Sequence, residues 1–291
     1  MKSLELLQRH YSRSDVVEEL CYFCRNRWIA VHCISPSQGL VFRRYGRGYT
    51  PLKLSSPSDF KHLLQALGKC RLRSIYASVT IYKRLSRLED VYDYSLFSRS
   101  TPTWDIDGIF SNWRETISVA REIVSFLEQH GVTSVYVKWS GNGCHVHIHE
   151  GAFSEELLRK RNPLDLAYAI VEYVRLKLES RFVELSPGGD TVVENKIDPA
   201  RVFTAPLSLH RELDVVCICM KPNQLDDFTP DWVKPHSFKH SSDWKHCVEG
   251  EADELAEIAY EAVGGYPLRT RIRRRKHPPL DEQIRKWLEK A

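Results

Sequence analysis

Residues 111–149 limit the possible fold more than any other stretch of the chain. In "SNWRETISVAREIVSFLEQHG", Ser111 to Gly131, apolar residues recur at spacings of three and four behind a polar start, and a glycine ends the pattern. "TSVYVKWS" then changes the period from helix to strand, "GNG" supplies a turn, and "CHVHIHE" alternates as a second strand. A helix feeding directly into a hairpin must pack its apolar stripe on the sheet that the hairpin begins.

Further elements follow the same two periods. A helix is predicted from Ser14 through "DVVEELCYFCRNRW", and another over "SSPSDFKHLLQAL" with Ser58 or Asp59 near its start. "SEELLRKR" and "NPLDLAYAIVEYVRLKLESRF" are helical, with Pro163 in a first turn where proline is tolerated. "IAVHCI", "SIYASVTIY", "TWDID", "TVVENKI" and "LDVVCICM" read as strands. Strands and helices in this order predict an α/β (α+β) fold, a mixed or antiparallel sheet flanked by helices. After "LDDFTPDWVKP" the composition turns polar, basic and helical, which divides the chain into 1–232 and a C-terminal extension, 233–291.

The chain has 291 residues, enough for a full core, and no run of eighteen apolar residues, so no membrane partner is expected. Its charged start does not resemble a secretory leader, and the expectation is a cytoplasmic protein with its eight cysteines reduced. Cys21 and Cys24 have zinc spacing, but i and i+3 on a helix simply share a buried face; no zinc site is claimed.

Three stretches carry candidate chemistry. In "TPTWDIDG", Asp105 and Asp107 project from one face of a strand. Either that strand is a solvated edge or the pair holds a hard divalent cation. In "KWSGNGCHVHIHE", the Ser140 hydroxyl and the glycine tip offer a phosphate cradle. His145, His147 and His149 on the outgoing strand could contact phosphate, bind zinc or copper, or merely line a pleat. "DTVVENKIDPARVFTAPLSLHR" contains Asp190, Glu194, Asp198, Arg201, Ser208 and His210.

Taken in order, these stretches resemble the catalytic (small) subunit of the archaeo-eukaryotic primase superfamily over roughly residues 40 to 230. The first motif is matched by Asp105 and Asp107, the second by "SGNGCH", and the third by "DPARVFTAPLSLH"; "FRRYG" resembles an early stretch and points to Arg43. The resemblance implies a primase-polymerase catalytic domain over 1–232 and a DNA primase/polymerase-type nucleotidyltransferase active in replication or repair. Its cofactors would be two Mg²⁺ or Mn²⁺ ions. Asp105, Asp107 and a third acid would be catalytic metal ligands, Asp198 being preferred for the third with Glu194 and Asp190 as alternatives. Ser140, Gly141, His145, Arg201, Ser208, His210 and Arg43 would bind the nucleotide triphosphate. The chain departs from replicative members in a one-residue-shorter second motif and in Thr204, where they have a basic residue; Lys196, Arg201 or Arg211 could substitute. Expected partners are single-stranded template or primer-template DNA, and a large primase subunit or repair factor. "RTRIRRRK", with Arg269, Arg271, Arg273, Arg274, Arg275 and Lys276, is a candidate polyanion-binding stretch. The alternatives are a non-catalytic nucleic-acid-binding subunit of the same fold and a metalloenzyme built on the histidines.

Overall fold

The computed structural model describes residues 2–267. Helices α1 (Lys2–Tyr11) and α2 (Ser14–Cys24) precede strands β1 (Arg27–Ser35) and β2 (Gly39–Arg43). Helix α3 (Pro57–Leu67) leads to the twelve-residue strand β3 (Arg71–Tyr82), then β4 (Phe97–Ser100) and β5 (Thr103–Asp107). Helix α4 (Trp113–Gln129) enters the hairpin β6 (Val135–Trp139) and β7 (Cys144–Ile148). Helices α5 (Glu155–Lys160), α6 (Pro163–Lys177) and α7 (Glu179–Leu185) follow, then strands β8 (Val192–Asn195), β9 (Val202–Thr204) and β10 (Ile218–Met220), and helix α8 (Asp253–Val263).

The strands form two antiparallel sheets where one was expected. The first runs β2-β1-β3-β4, with β9 also on β3; the second runs β10-β6-β7-β5-β8. The molecule is α+β, with helices flanking antiparallel sheets. Strands β5 and β8 pair across a long stretch of chain that holds the hairpin and several helices, so no local pattern announces their register.

Local chemistry explains the ends of the elements. The cap of α3 is Ser56, whose hydroxyl accepts from the Asp59 N–H with Pro57 in the first turn, rather than Ser58 or Asp59. Gly131 takes φ +77° just after α4, as its terminating position requires. Asn162 caps α6 by accepting from the Leu164 N–H.

One face of the second sheet is apolar. Trp104, Ile106, Val137, Trp139, Cys144, Val146 and Ile148 are all fully buried there, and the Trp104 indole donates to the Val171 carbonyl on α6. Burying a large apolar side chain contributes about 1.5–3 kcal/mol, so this face anchors the sheet. The other face is polar and looks toward the first sheet. Between the sheets Arg27 of β1 pairs with Glu150, beyond β7, at 2.9 Å.

Residues 233–267 pack on this body. Trp244 is buried against Phe23 and Tyr136, with ring centroids 5.2 and 5.7 Å away, and its indole donates to Glu19. The Tyr266 N–H reaches Asp165 on α6 at 3.0 Å. Arg269 to Lys276 and the final amphipathic segment lie outside the described residues.

Candidate active site

Cross-strand neighbours share a face, and the register of the second sheet therefore aligns five residues. Cys219 stands opposite Lys138, Lys138 opposite His145, His145 opposite Asp105, and Asp105 opposite Glu194. The row crosses all five strands on the polar face. Asp107, two residues along β5, extends it toward solvent.

At the β5–β8 end of this row the three acids converge. The Lys196 ammonium lies 2.7 Å from Asp105 Oδ2, 2.7 Å from Asp107 Oδ2 and 2.8 Å from Glu194 Oε2. Asp105 is the inner acid, with an 11% exposed side chain, against 64% for Asp107 and 48% for Glu194. Burial opposes the Asp105 charge, but His145 and then Lys196 hold its pKa below the ordinary carboxylate value. Burial likewise opposes the charge on Lys196, and the hydrogen bonds to Asp105, Asp107 and Glu194 raise its pKa on balance. Asp105 is ionised, and the Lys196 ammonium ties it to Asp107 and Glu194.

His145 fixes the inner acid. Its Nε2 is 3.2 Å from Asp105 Oδ1 and 3.4 Å from Ser140 Oγ. Burial lowers the His145 pKa against the pull of Asp105, so the ring is neutral and its Nε2–H donates to the carboxylate. The two other histidines of that segment do not join it. His147 stacks on Tyr136 and its Nδ1 lies 2.8 Å from Thr103 Oγ1, whereas His149 accepts from the Gly151 N–H. Each histidine has its own partner, and the three do not converge on a common point.

The glycine tip is placed by close approach. A Cβ on Gly143 would lie 2.1 Å from the Ile106 carbonyl oxygen, between the two aspartates, so only glycine lets the hairpin lie on β5. Gly141, at φ +148°, would put a Cβ 2.5 Å from the His210 ring. His210 Nδ1 accepts from the Glu212 and Leu213 N–H groups, at 3.2 and 2.9 Å. Its hydrogen is therefore on Nε2, beside the tip. Burial pushes the His210 pKa down to about 4, leaving a neutral donor at neutral pH. Ser140, Gly141, His145 and His210 thus form one group, joined to the acids through Asp105.

Other residues predicted for the site lie elsewhere. Asp198, preferred as the third acid, pairs with Arg201 at 3.3 Å and accepts from the Ala200 N–H at 2.7 Å, turned into its own loop. The β5–β8 register brings Glu194 to Asp105 instead. Asp190 accepts from Asn112 in the loop ahead of β8. Ser208 is fully buried, accepting from the Ile75 N–H and donating to the Leu209 carbonyl, so its hydroxyl is used within the fold. Arg43, at the end of β2 on the first sheet, donates to the Cys70 thiol just ahead of β3. Its neighbour Arg44 reaches the Ala200 carbonyl at 2.9 Å and covers the Trp28 and Phe42 rings. Arg201 donates to the Lys196 carbonyl, next to the cluster.

Two lysines of the site escape the sequence motifs. Lys196 is expected from them only on the phosphate side, yet it sits among the acids. Lys138 belongs to none of them; it is fully buried, with its ammonium on the Thr204 carbonyl and over the Phe23 ring. Its position in "VYVKWS", in phase with Tyr136 and Ser140, is the signal the sequence offers.

Among the described residues, no group of three or more His, Cys, Asp or Glu side chains stands arranged to hold a metal ion. The acids around Lys196 are spaced about an ammonium. Cys21 and Cys24 are buried on α2. No helix among the described residues is long and apolar enough to cross a membrane.

No protein-family profile and no curated protein matches the sequence. Among solved structures the chain is similar to the polymerase domain from Mycobacterium tuberculosis Ligase D in complex with DNA. The TM-score is 0.52 at 13% sequence identity, and the alignment covers 88% of this chain and 88% of that one. At this identity the likeness shows fold alone: the chain shares the α+β fold of that polymerase domain.

Proposed function

We propose that the chain is a divalent-metal-dependent nucleotidyltransferase that joins nucleotides to a nucleic-acid strand. The observation that carries this reading is the convergence of Asp105, Asp107 and Glu194 on one cation position. Three carboxylates from paired strands are the hard oxygen donors that Mg²⁺ or Mn²⁺ takes, and a cation already balances them in the fold. Asp105, Asp107 and Glu194 would hold the metal, Glu194 replacing Asp198 as the third ligand. Bound there, two ions would lower the pKa of an attacking 3′-hydroxyl and stabilise the departing pyrophosphate.

The chain's own residues have separable tasks. His145 donates to Asp105 and keeps that carboxylate turned toward the cluster. The Ser140 hydroxyl, the open backbone at Gly141 and the His210 Nε2–H would receive a triphosphate beside it. Arg201, which donates to the Lys196 carbonyl and pairs with Asp198, would add a positive charge beside the acids. The solved neighbour in complex with DNA supports a nucleic-acid substrate.

One observation favours a second reading. Lys196 already neutralises the acids, as it would in a binding subunit of this fold that has lost turnover.

Incorporation of labelled nucleotides on a primer-template, with Mg²⁺ or Mn²⁺, tests the proposal. Wild type should extend the primer, D105A/D107A and E194Q should fall by ~10²-fold or more, and D198N should keep most activity. Loss in D198N with activity retained in E194Q would return the third ligand to Asp198. No incorporation by wild type, with nucleic acid still bound, would support the second reading.

A further inference from the structure

We propose that the Lys196 ammonium is a resident counter-ion that a catalytic metal must displace, so that metal loading at this site is an exchange of cations. The inference rests on the metal reading given above and adds how that site is regulated.

Its geometry is that of a placeholder. One nitrogen contacts three carboxylates on two adjacent strands at 2.7–2.8 Å, and no other basic side chain among the described residues pairs with any of them except His145 on Asp105. Without a cation there, three like charges would face each other across one strand pair, an arrangement that is destabilising.

The backbone on both sides of Lys196 is pinned. Asn195 donates to the Tyr168 carbonyl and to Glu172 on α6, and its Oδ1 accepts from the Ile197 N–H. Arg201 Nε donates to the Lys196 carbonyl. The side chain is held by the three acids alone and is 24% exposed, so only their pull keeps it there. A flexible four-carbon stem can therefore carry its charge out to solvent, or toward a bound polyphosphate, while Glu194 stays in register. A lysine is suited to this as a compact point charge; an arginine would grip the carboxylates in a planar fork and leave less readily.

The test uses the full chain and Mn²⁺ alone as probe, read by electron paramagnetic resonance, with thermal unfolding in EDTA and in Mn²⁺ alongside. Wild type should bind Mn²⁺. K196M should bind it roughly tenfold more tightly, the scale of removing one like-charge contact in partly solvated surroundings. K196M should also melt below wild type in EDTA and recover when Mn²⁺ is added. K196R retains the charge and guards against a folding defect; it should match wild type in EDTA and bind Mn²⁺ no more tightly.

If wild type binds Mn²⁺, E194Q abolishes that binding and K196M leaves it unchanged or weaker, the metal reading stands and the exchange is overturned. If K196M binds Mn²⁺ and wild type does not, Lys196 is a permanent substitute for the metal; exchange is overturned and the non-catalytic reading gains. If neither binds, both the exchange and the metal reading fall.

Discussion

Replacing Glu150 by glutamine would leave the Arg27 guanidinium between the two sheets without its counter-charge. Arg27 and Glu150 side chains are only 2% and 13% exposed, and their closest atoms are 2.9 Å apart. The remaining Arg27 N–H groups go to the Phe23, Ser78 and Val79 carbonyls and the Thr101 hydroxyl, so the guanidinium would keep dipoles around it but no charge. Burial would raise the Glu150 pKa; Arg27 instead draws it from 4.5 down to about 2. At ~1.36 kcal/mol per unit, that difference corresponds to about 3 kcal/mol of stability near neutral pH. Breaking one partner of a buried pair commonly costs ~3–5 kcal/mol, so the two routes agree.

The sign with pH follows from the direction of the shift. Because the folded value lies below the unfolded one, the stabilisation is complete above pH 4.5 and is lost as pH falls toward about 2. Urea unfolding of wild type and E150Q at pH 7 and pH 3 measures it. The expected gap is about 3 kcal/mol at pH 7 and less than half of that at pH 3. A gap below ~1 kcal/mol at pH 7, or one that does not narrow on acidification, would refute the claim that charge braces the sheets.

G143A should cost ~1–3 kcal/mol and impair incorporation, because its methyl group would press on the Ile106 carbonyl between the two aspartates; thermal melts beside extension assays would show it. His210 should titrate near its lowered value of about 4 and not near 6.5, with the neutral hydrogen on Nε2. Whatever stability that neutral ring contributes is present above pH 6.5 and lost as pH falls toward about 4; nitrogen NMR of the ring reads both tautomer and midpoint. W244A should lower stability by ~3–5 kcal/mol in a single cooperative transition, since that indole fills the space between Phe23 and Tyr136. Two separate transitions in the calorimeter would instead make residues 233–267 an independent unit.

Much of the local structure is legible in the residues themselves. The helix over Trp113–Gln129, the hairpin after it and the strand holding Asp105 and Asp107 follow from period alone, because side-chain direction within one helix or strand is a local property. For the same reason the sequence determined that the two aspartates share a face, and that Ser140, Gly141 and His145 sit at one hairpin.

Tertiary structure decided the rest. From the sequence Asp198 is preferred as the third acid because it anchors the stretch that best matches the resemblance, but strand register depends on packing between distant segments, and the pairing of β8 with β5 sets Glu194 opposite Asp105. That pairing also carries Lys196 into the cluster, two residues beyond Glu194 and on its side of the strand. Ser208, polar and within a motif, is instead taken up by the Ile75 N–H, because a buried hydroxyl must satisfy the nearest backbone. Likewise, the division into two sheets depends on which strands β3 and β7 accept as neighbours, a choice made by burial of the Trp104 face and not by any single strand's composition. The sequence determined which residues could do chemistry; the long-range register of five strands decided which of them meet.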